Sequence, residues 1–231
     1  LSIIPVIVFG TIIYFMGSRI VREEIHRAST ESLSQVRYQI ESKVKFIEQM
    51  TNQITLQSDV IAVMNVQDEP KLGAFPRSNE VRYLLSQMRN TTDTVHSIYF
   101  YHMKQRIVIA DDMITSIDED RMFRDLSWMA TLDGLVADRQ RQTWVTPREM
   151  IGRTGQPMST LTLVSVLPML YNQAKAAIVV NLNPDFLTNA ITSFPLGSDG
   201  KLLVINEEGR LIAQTSGDEE ASGMLDAIVK K

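Results

Sequence analysis

The chain has 231 residues, a net charge of −4 and no cysteine. That charge, with a sequence pI of about 5.5, leaves no basic footprint for nucleic acid, and the missing thiols exclude disulfides and thiol chemistry. Apolar residues at 44% and aromatics at 7% suffice for a real core, so disorder is not the expectation.

The chain opens on LSIIPVIVFGTIIYFMGSRIVREE, uncharged to Met16, with its first arginine at Arg19. A signal peptide needs a basic start and a small-residue cleavage site. The run is slightly short of the roughly 20 apolar residues that span a bilayer, as a membrane helix lacking its first residues would be. Pro5 and Gly10 are tolerated in such helices, and Tyr14 sits where aromatic belts lie. A transmembrane helix over 1–20 is the expectation, against a clipped signal or a buried soluble helix.

From Arg22 to about Met64 there is neither Gly nor Pro, which predicts one long stalk helix over 21–65. Leu33, Ile40, Ile47 and Ile54 recur every seven residues, the spacing of a left-handed coiled-coil seam. The seam serves either a parallel homodimer or packing against the chain's own domain. A loop at 67–80 and a helix from about Asn79 to Arg89 follow. VHSIYFYHMKQRIVIADD then reads as two strands turning near Lys104-Gln105.

EDRMFRDLSWMATLDG reads as a helix ending at Gly134. QTWVTPREM, PMSTLTLVSVLPMLY and AKAAIVVNLN read as strands, and PDFLTNAITSF as a helix that closes a unit spanning 66–195. Over 196–231, GKLLVINEEGRLIAQTSG predicts a hairpin turning at Glu207-Glu208-Gly209, with a short helix after it. A helical start followed by antiparallel strands and one interrupting helix gives an α+β fold, unlike the alternation of a parallel sheet.

The anchor SIIPVIVFG, the helix SLSQVRYQIESKVKFIEQMTNQI, the strand pair SIYFYHMKQRIVIAD, the DLSWMATL helix and DGKLLVINEEGRLIAQ together resemble double-Cache sensor regions. These are the extracytoplasmic parts of bacterial membrane receptors, with PAS-like antiparallel sheets. The resemblance implies a membrane-distal unit at 66–195, the start of a smaller membrane-proximal unit at 196–231, and residues after about 20 outside the cell. It also implies an output domain beyond this chain, of the sensor histidine kinase or AraC-type regulator kind, with chemoreceptors and cyclic-dinucleotide cyclases as alternatives. A tethered enzyme or adhesion module is the rival of another class.

The same resemblance places a small-molecule pocket between about 95 and 182. Strand alternation puts Ser97, Tyr99, Tyr101 and Met103 on one face and His96, Ile98, Phe100 and His102 on the other. Tyr99 and Tyr101 combine apolar bodies with hydroxyls suited to a small polar ligand, core packing being the alternative. Trp128 stands where the family often carries an aromatic; amino-acid-binding members have Arg-x-Trp-Tyr there, and this chain has Leu126-Ser127-Trp128-Met129. Trp144 offers stacking, Arg148 an anion-binding fork or an ordinary solvated charge, and Asp111 a partner for a cationic group. Tyr99, Tyr101, Asp111, Trp128, Trp144 and Arg148 are thus expected to line one pocket.

No metal or cofactor is expected. His96 and His102 lack a third convergent ligand, and Asp111-Asp112 and Asp118-Glu119-Asp120 lack calcium-loop spacing. GRTGQ at 152–156 is too short for a phosphate loop and precedes a strand, so it is a turn. No nucleophile elbow, zinc-protease motif or plausible Ser/His/Asp set is present, and no enzymatic activity is expected of this segment.

Overall fold

A computed structural model describes residues 4–66, 76–118, 123–152, 155–168, 173–183, 185–192, 202–205 and 211–214, with side chains from residue 13 onward apart from 146 and 211. The first twelve side chains, on which the transmembrane expectation rests, lie outside the described residues, as do the hairpin turn at 207–209 and the expected terminal helix. Among the described residues no helix is long and apolar enough to cross a membrane.

The chain begins as one helix, α1 (Ile4–Thr55), which runs through Gly17 without a break. Its exposed flank carries the i,i+4 pairs Arg19–Glu23, Arg27–Glu31 and Arg37–Glu41, and such surface pairs contribute little. The predicted continuous helix divides near its end. At Leu56 and Gln57 the amides bond the carbonyls of Gln53 and Ile54, three residues back, tightening the last turn. The chain then restarts as α2 (Ser58–Met64) from the extended backbone of Gln57. The change of direction buries Val60, Val63 and Met64, which a straight continuation would carry away from the domain.

After α3 (Pro76–Asn90) come β1 (Val95–His102), β2 (Ile107–Ala110) and β3 (Ile114–Ser116). α4 (Met129–Ala137) runs past Gly134, and residues 123–126, expected to be helical, form an irregular approach to it, in which the Leu126 amide bonds the Arg124 carbonyl at 3.1 Å. β4 (Gln142–Ile151), β5 (Pro157–Leu167), β6 (Ala176–Leu182) and α5 (Asp185–Thr192) follow, then β7 (Leu203–Ile205) and β8 (Leu211–Gln214). The first six strands form one antiparallel sheet in the order β3-β2-β1-β6-β5-β4, and β7 pairs with β8 alone. The fold class is α+β, as expected.

Strand alternation assigns each sheet residue to one of two cores. On one face Ile98 and Phe100 of β1, Leu163 of β5, and Ile178 and Val180 of β6 meet Ile47, Met50 and Ile54 of α1 together with Val63, Leu85 and Phe186. On the other, Tyr99, Tyr101, Val108, Val164 and Val179 meet Phe123, Trp128, Leu132 and Leu135. The lower heptad positions of α1 are therefore buried within the chain: Ile47 and Ile54 are 0% exposed, whereas Leu33 higher on the helix is 44% exposed.

Candidate functional site

The α4 face of the sheet is not fully sealed. A cavity of about 460 Å³ opens beside β1, floored by Ser97, Tyr99 and Ala110 and walled by Asp111 to Met113, Phe123 to Asp125 and Met150 to Gly152. His96 also reaches it, because an irregularity in the β1–β6 register between Val95 and Ser97 interrupts the alternation that would send it to the opposite face. Gly155, at φ 78° in the β4–β5 turn, closes one side; GRTGQ is indeed the hairpin connection, with the Gly152 amide bonded to the Gln156 carbonyl at 2.9 Å.

Below the cavity lies a buried polar network centred on Arg148. Its Nε donates to Thr162 Oγ1 at 2.8 Å, one Nη1 hydrogen goes to Ser127 Oγ at 2.6 Å and the other to Asp125 Oδ1. Nη2 donates to Asp125 Oδ2 at 2.8 Å and to Asn181 Oδ1 at 2.7 Å. A guanidinium has five N–H donors, and these five bonds use all of them. Arg148 thus neutralises Asp125 and fastens residues 125–127 to β4, with no hydrogen left for a ligand anion.

Donation continues to the cavity floor. Asn181 Nδ2 donates to Ser97 Oγ at 2.9 Å, and the Ser97 hydroxyl donates to the Tyr99 oxygen at 3.1 Å. This order leaves the phenol hydrogen of Tyr99 available to donate, and Tyr99 lines the cavity. The phenol is held in its neutral form: burial pushes its pKa up first, and the Asp125 carboxylate adds to the shift. The Tyr99 ring stands edge-on to Phe123, with centroids 5.0 Å apart. Asp111, its side chain 2% exposed, pairs with Arg89 Nε at 2.8 Å, which ties the cavity wall to the end of α3.

The six residues singled out from the sequence fall into four places. Tyr99 and Asp111 line the cavity. Tyr101 and Trp128 pack behind it, edge to face at 5.4 Å, with Trp128 0% exposed and its indole N–H donated to the Asp125 carbonyl at 2.7 Å. Arg148 lies beneath. Trp144 is on the opposite face of the sheet, where it packs against the stalk core and donates Nε1 to Glu48 Oε1 at 2.9 Å. Phe123, Asp125 and Asn181 went unmarked in the sequence, and Ser97 was placed on the Tyr99 face without a role. The one visible cue was the place of Asp125, three residues ahead of Trp128 and first in the DLSWMATL stretch that carries part of the resemblance.

No family model and no curated protein matches the chain. Solved structures do. The sensory domain of the Campylobacter jejuni chemoreceptor Tlp3 with isoleucine bound aligns with a TM-score of 0.55 at 12% identity, over 90% of this chain and 76% of that one. The extracellular domain of the putative histidine kinase vpHK1S-Z8 aligns at 0.60 and 11% identity, over 86% and 72%. The ligand-binding domain of the Pseudomonas fluorescens chemoreceptor CtaA, in complex with L-isoleucine, aligns at 0.53 and 13% identity, over 89% and 74%. The chain has the fold of these bacterial sensory domains.

Proposed function

We propose that the chain is the extracytoplasmic small-molecule-sensing region of a bacterial transmembrane receptor. The observation that carries this reading is the cavity of about 460 Å³, with the Tyr99 donor in its floor and a wall held in place by Arg148. Such a concave site with a few fixed polar groups in an apolar frame suits a small ligand. The shared fold supports the reading, since the domains it resembles belong to chemoreceptors and to a putative histidine kinase.

The apolar start of the chain is the membrane anchor in this reading, spanning 1–20. Ile13, Phe15, Ile20 and Ile25 are each at least 60% exposed, which a lipid environment would relieve at the first of them. Residues after about 20 lie outside, although Arg19, Arg22 and Arg27 follow the anchor and positive residues more often mark the inner side. Further along α1, exposed Leu33 and half-buried Ile40 are the surface for a parallel homodimer. The signal passes to a cytoplasmic output of the histidine kinase or AraC type, and the 196–231 stretch begins a membrane-proximal unit.

The test is a thermal-shift screen of the 231-residue chain in detergent against L-amino acids, amines and small organic acids. At least one should raise the melting temperature, because a ligand at 100 times its Kd adds about 2.7 kcal/mol. Met113→Trp, which fills the cavity, should abolish the shift, and Tyr99→Phe should weaken it. A shift that persists in both variants moves the site elsewhere, and a screen with no shift removes the support for sensing.

A further inference from the structure

β4 presents different faces at its two ends. Pairing with β5 advances three residues on β4, from Val145 to Arg148, against two on β5, from Thr162 to Thr160. This is a β-bulge, which inverts the side-chain parity beyond it. Ahead of the bulge Trp144 faces α1 and bonds Glu48, whose neighbours Ile47 and Met50 are buried in the stalk core. Beyond it Arg148 grips Asp125, the Glu149 carbonyl accepts from Ser127 Oγ at 3.1 Å, and Met150, Ile151 and Gly152 line the cavity. Among the described strands β4 is also an edge strand, bonded to a neighbour on one side only, so it shifts at less cost than the central strands.

We propose that β4 is a lever coupling the cavity to the stalk, with the Trp144–Glu48 hydrogen bond as its stalk-side joint. The inference rests on the sensing reading and adds its route of regulation. A ligand contacting Tyr99 and the 123–125 wall changes their separation. That wall is tied to β4 by Arg148 and Ser127, so β4 moves with it and carries Trp144 against α1. The path is contiguous and short. It also separates this joint from the β1 and β6 core, where Ile98, Phe100, Ile178 and Val180 are apolar and close-packed on the α1 face. Coupling of this kind is reciprocal: loosening the stalk joint must loosen the cavity wall.

Reciprocity allows a test that needs no ligand. Amide hydrogen exchange is measured on the 231-residue chain in detergent, unmodified and as Trp144→Phe, Glu48→Ala, Glu48→Gln and the double variant Trp144→Phe/Glu48→Ala. The phenylalanine keeps a ring but loses the N–H, and the glutamine keeps an acceptor. Exchange should rise severalfold in both 142–152 and 123–128 for Trp144→Phe and for Glu48→Ala, by no more in the double variant, and much less for Glu48→Gln. Glu41→Ala, which breaks an exposed stalk pair, should leave both segments unchanged. Unchanged protection at 123–128 in Trp144→Phe and Glu48→Ala overturns the lever. So does an equal rise in every segment of both variants, which is general loosening. Neither outcome touches the ligand screen, so the sensing reading stands or falls separately.

Discussion

The two faces of the central sheet are built from alternate residues of the same strands, yet they solve different problems. The α1 face is largely apolar: Ile98, Phe100, Leu163, Ile178 and Val180 meet Ile47 and Ile54, and the Trp144–Glu48 bond lies toward its β4 edge. The α4 face seals only in part. Where β4, β5 and β6 approach the Phe123–Asp125 segment it buries Arg148, Asp125, Thr162 and Asn181, and beside them it leaves a cavity. An apolar face tolerates small repacking, because its energy is spread over many weak contacts. A buried polar network does not, because every lost partner strands another group. Rigidity on the α4 face is therefore concentrated in a few bonds, where a ligand in the adjacent cavity can reach them.

The largest effect should come from that network. Arg148→Ala leaves the Asp125 carboxylate buried without its partner, and removal of one member of a buried pair costs about 3–5 kcal/mol. Chemical denaturation should show this, and Arg148→Met with Asp125→Leu should restore much of it, since a matched apolar pair can replace a buried ion pair. A loss for Arg148→Ala no larger than that of a surface substitution would erase the contrast between the faces. On the α1 face, Ile54→Val should cost about 0.5–1.5 kcal/mol. Leu33→Val, on the exposed part of the same heptad row, should stay within about 0.5 kcal/mol for a monomeric chain. Equal losses at the two positions would mean that a second copy covers Leu33.

The smallest effect is confined to acid. His102, at the end of β1 on the α1 face, is 2% exposed, and burial lowers its pKa below the usual value. Its folded form therefore binds a proton less readily than its unfolded form, so stability is complete above about pH 6.5 and falls as the pH drops through that value. Melting temperatures between pH 7.5 and 5 should fall less in His102→Gln than in the unmodified chain. Identical pH profiles would mean that other groups set the acid sensitivity.

Which parts of this were legible beforehand follows from the range of the forces involved. The long helix, the β1–β2 hairpin and the α5 start rest on local signals: absent Gly and Pro, alternating β-branched residues, and Asn183-Pro184. Alternation also divided β1 correctly, with Tyr99 and Tyr101 on one side and Ile98 and Phe100 on the other. It faltered where a bulge intervenes. Trp144 and Arg148 have the same parity, so strict alternation sends them to one pocket, whereas the extra residue near Pro147 sends them to opposite faces. Pro147 was the available warning, since proline inside a sheet belongs to edges and bulges.

By itself the sequence determined the α+β class, the antiparallel order of elements and the amphipathic division of most strands, because helix and strand periodicity are properties of a few neighbouring residues. It also carried the heptad row of α1. Only the tertiary structure decided where that row stops being exposed, at the point where Ile47 enters the core. Only the structure brought Asp125, Arg148, Thr162 and Asn181 into one network. Their meeting depends on strand register and on a single bulge, and neither is encoded in the spacing of residues as far apart as 56 positions. A buried charge finds its partner through the fold, and so the difference between an anion-binding arginine and a structural one became visible only when all five of its hydrogens were accounted for.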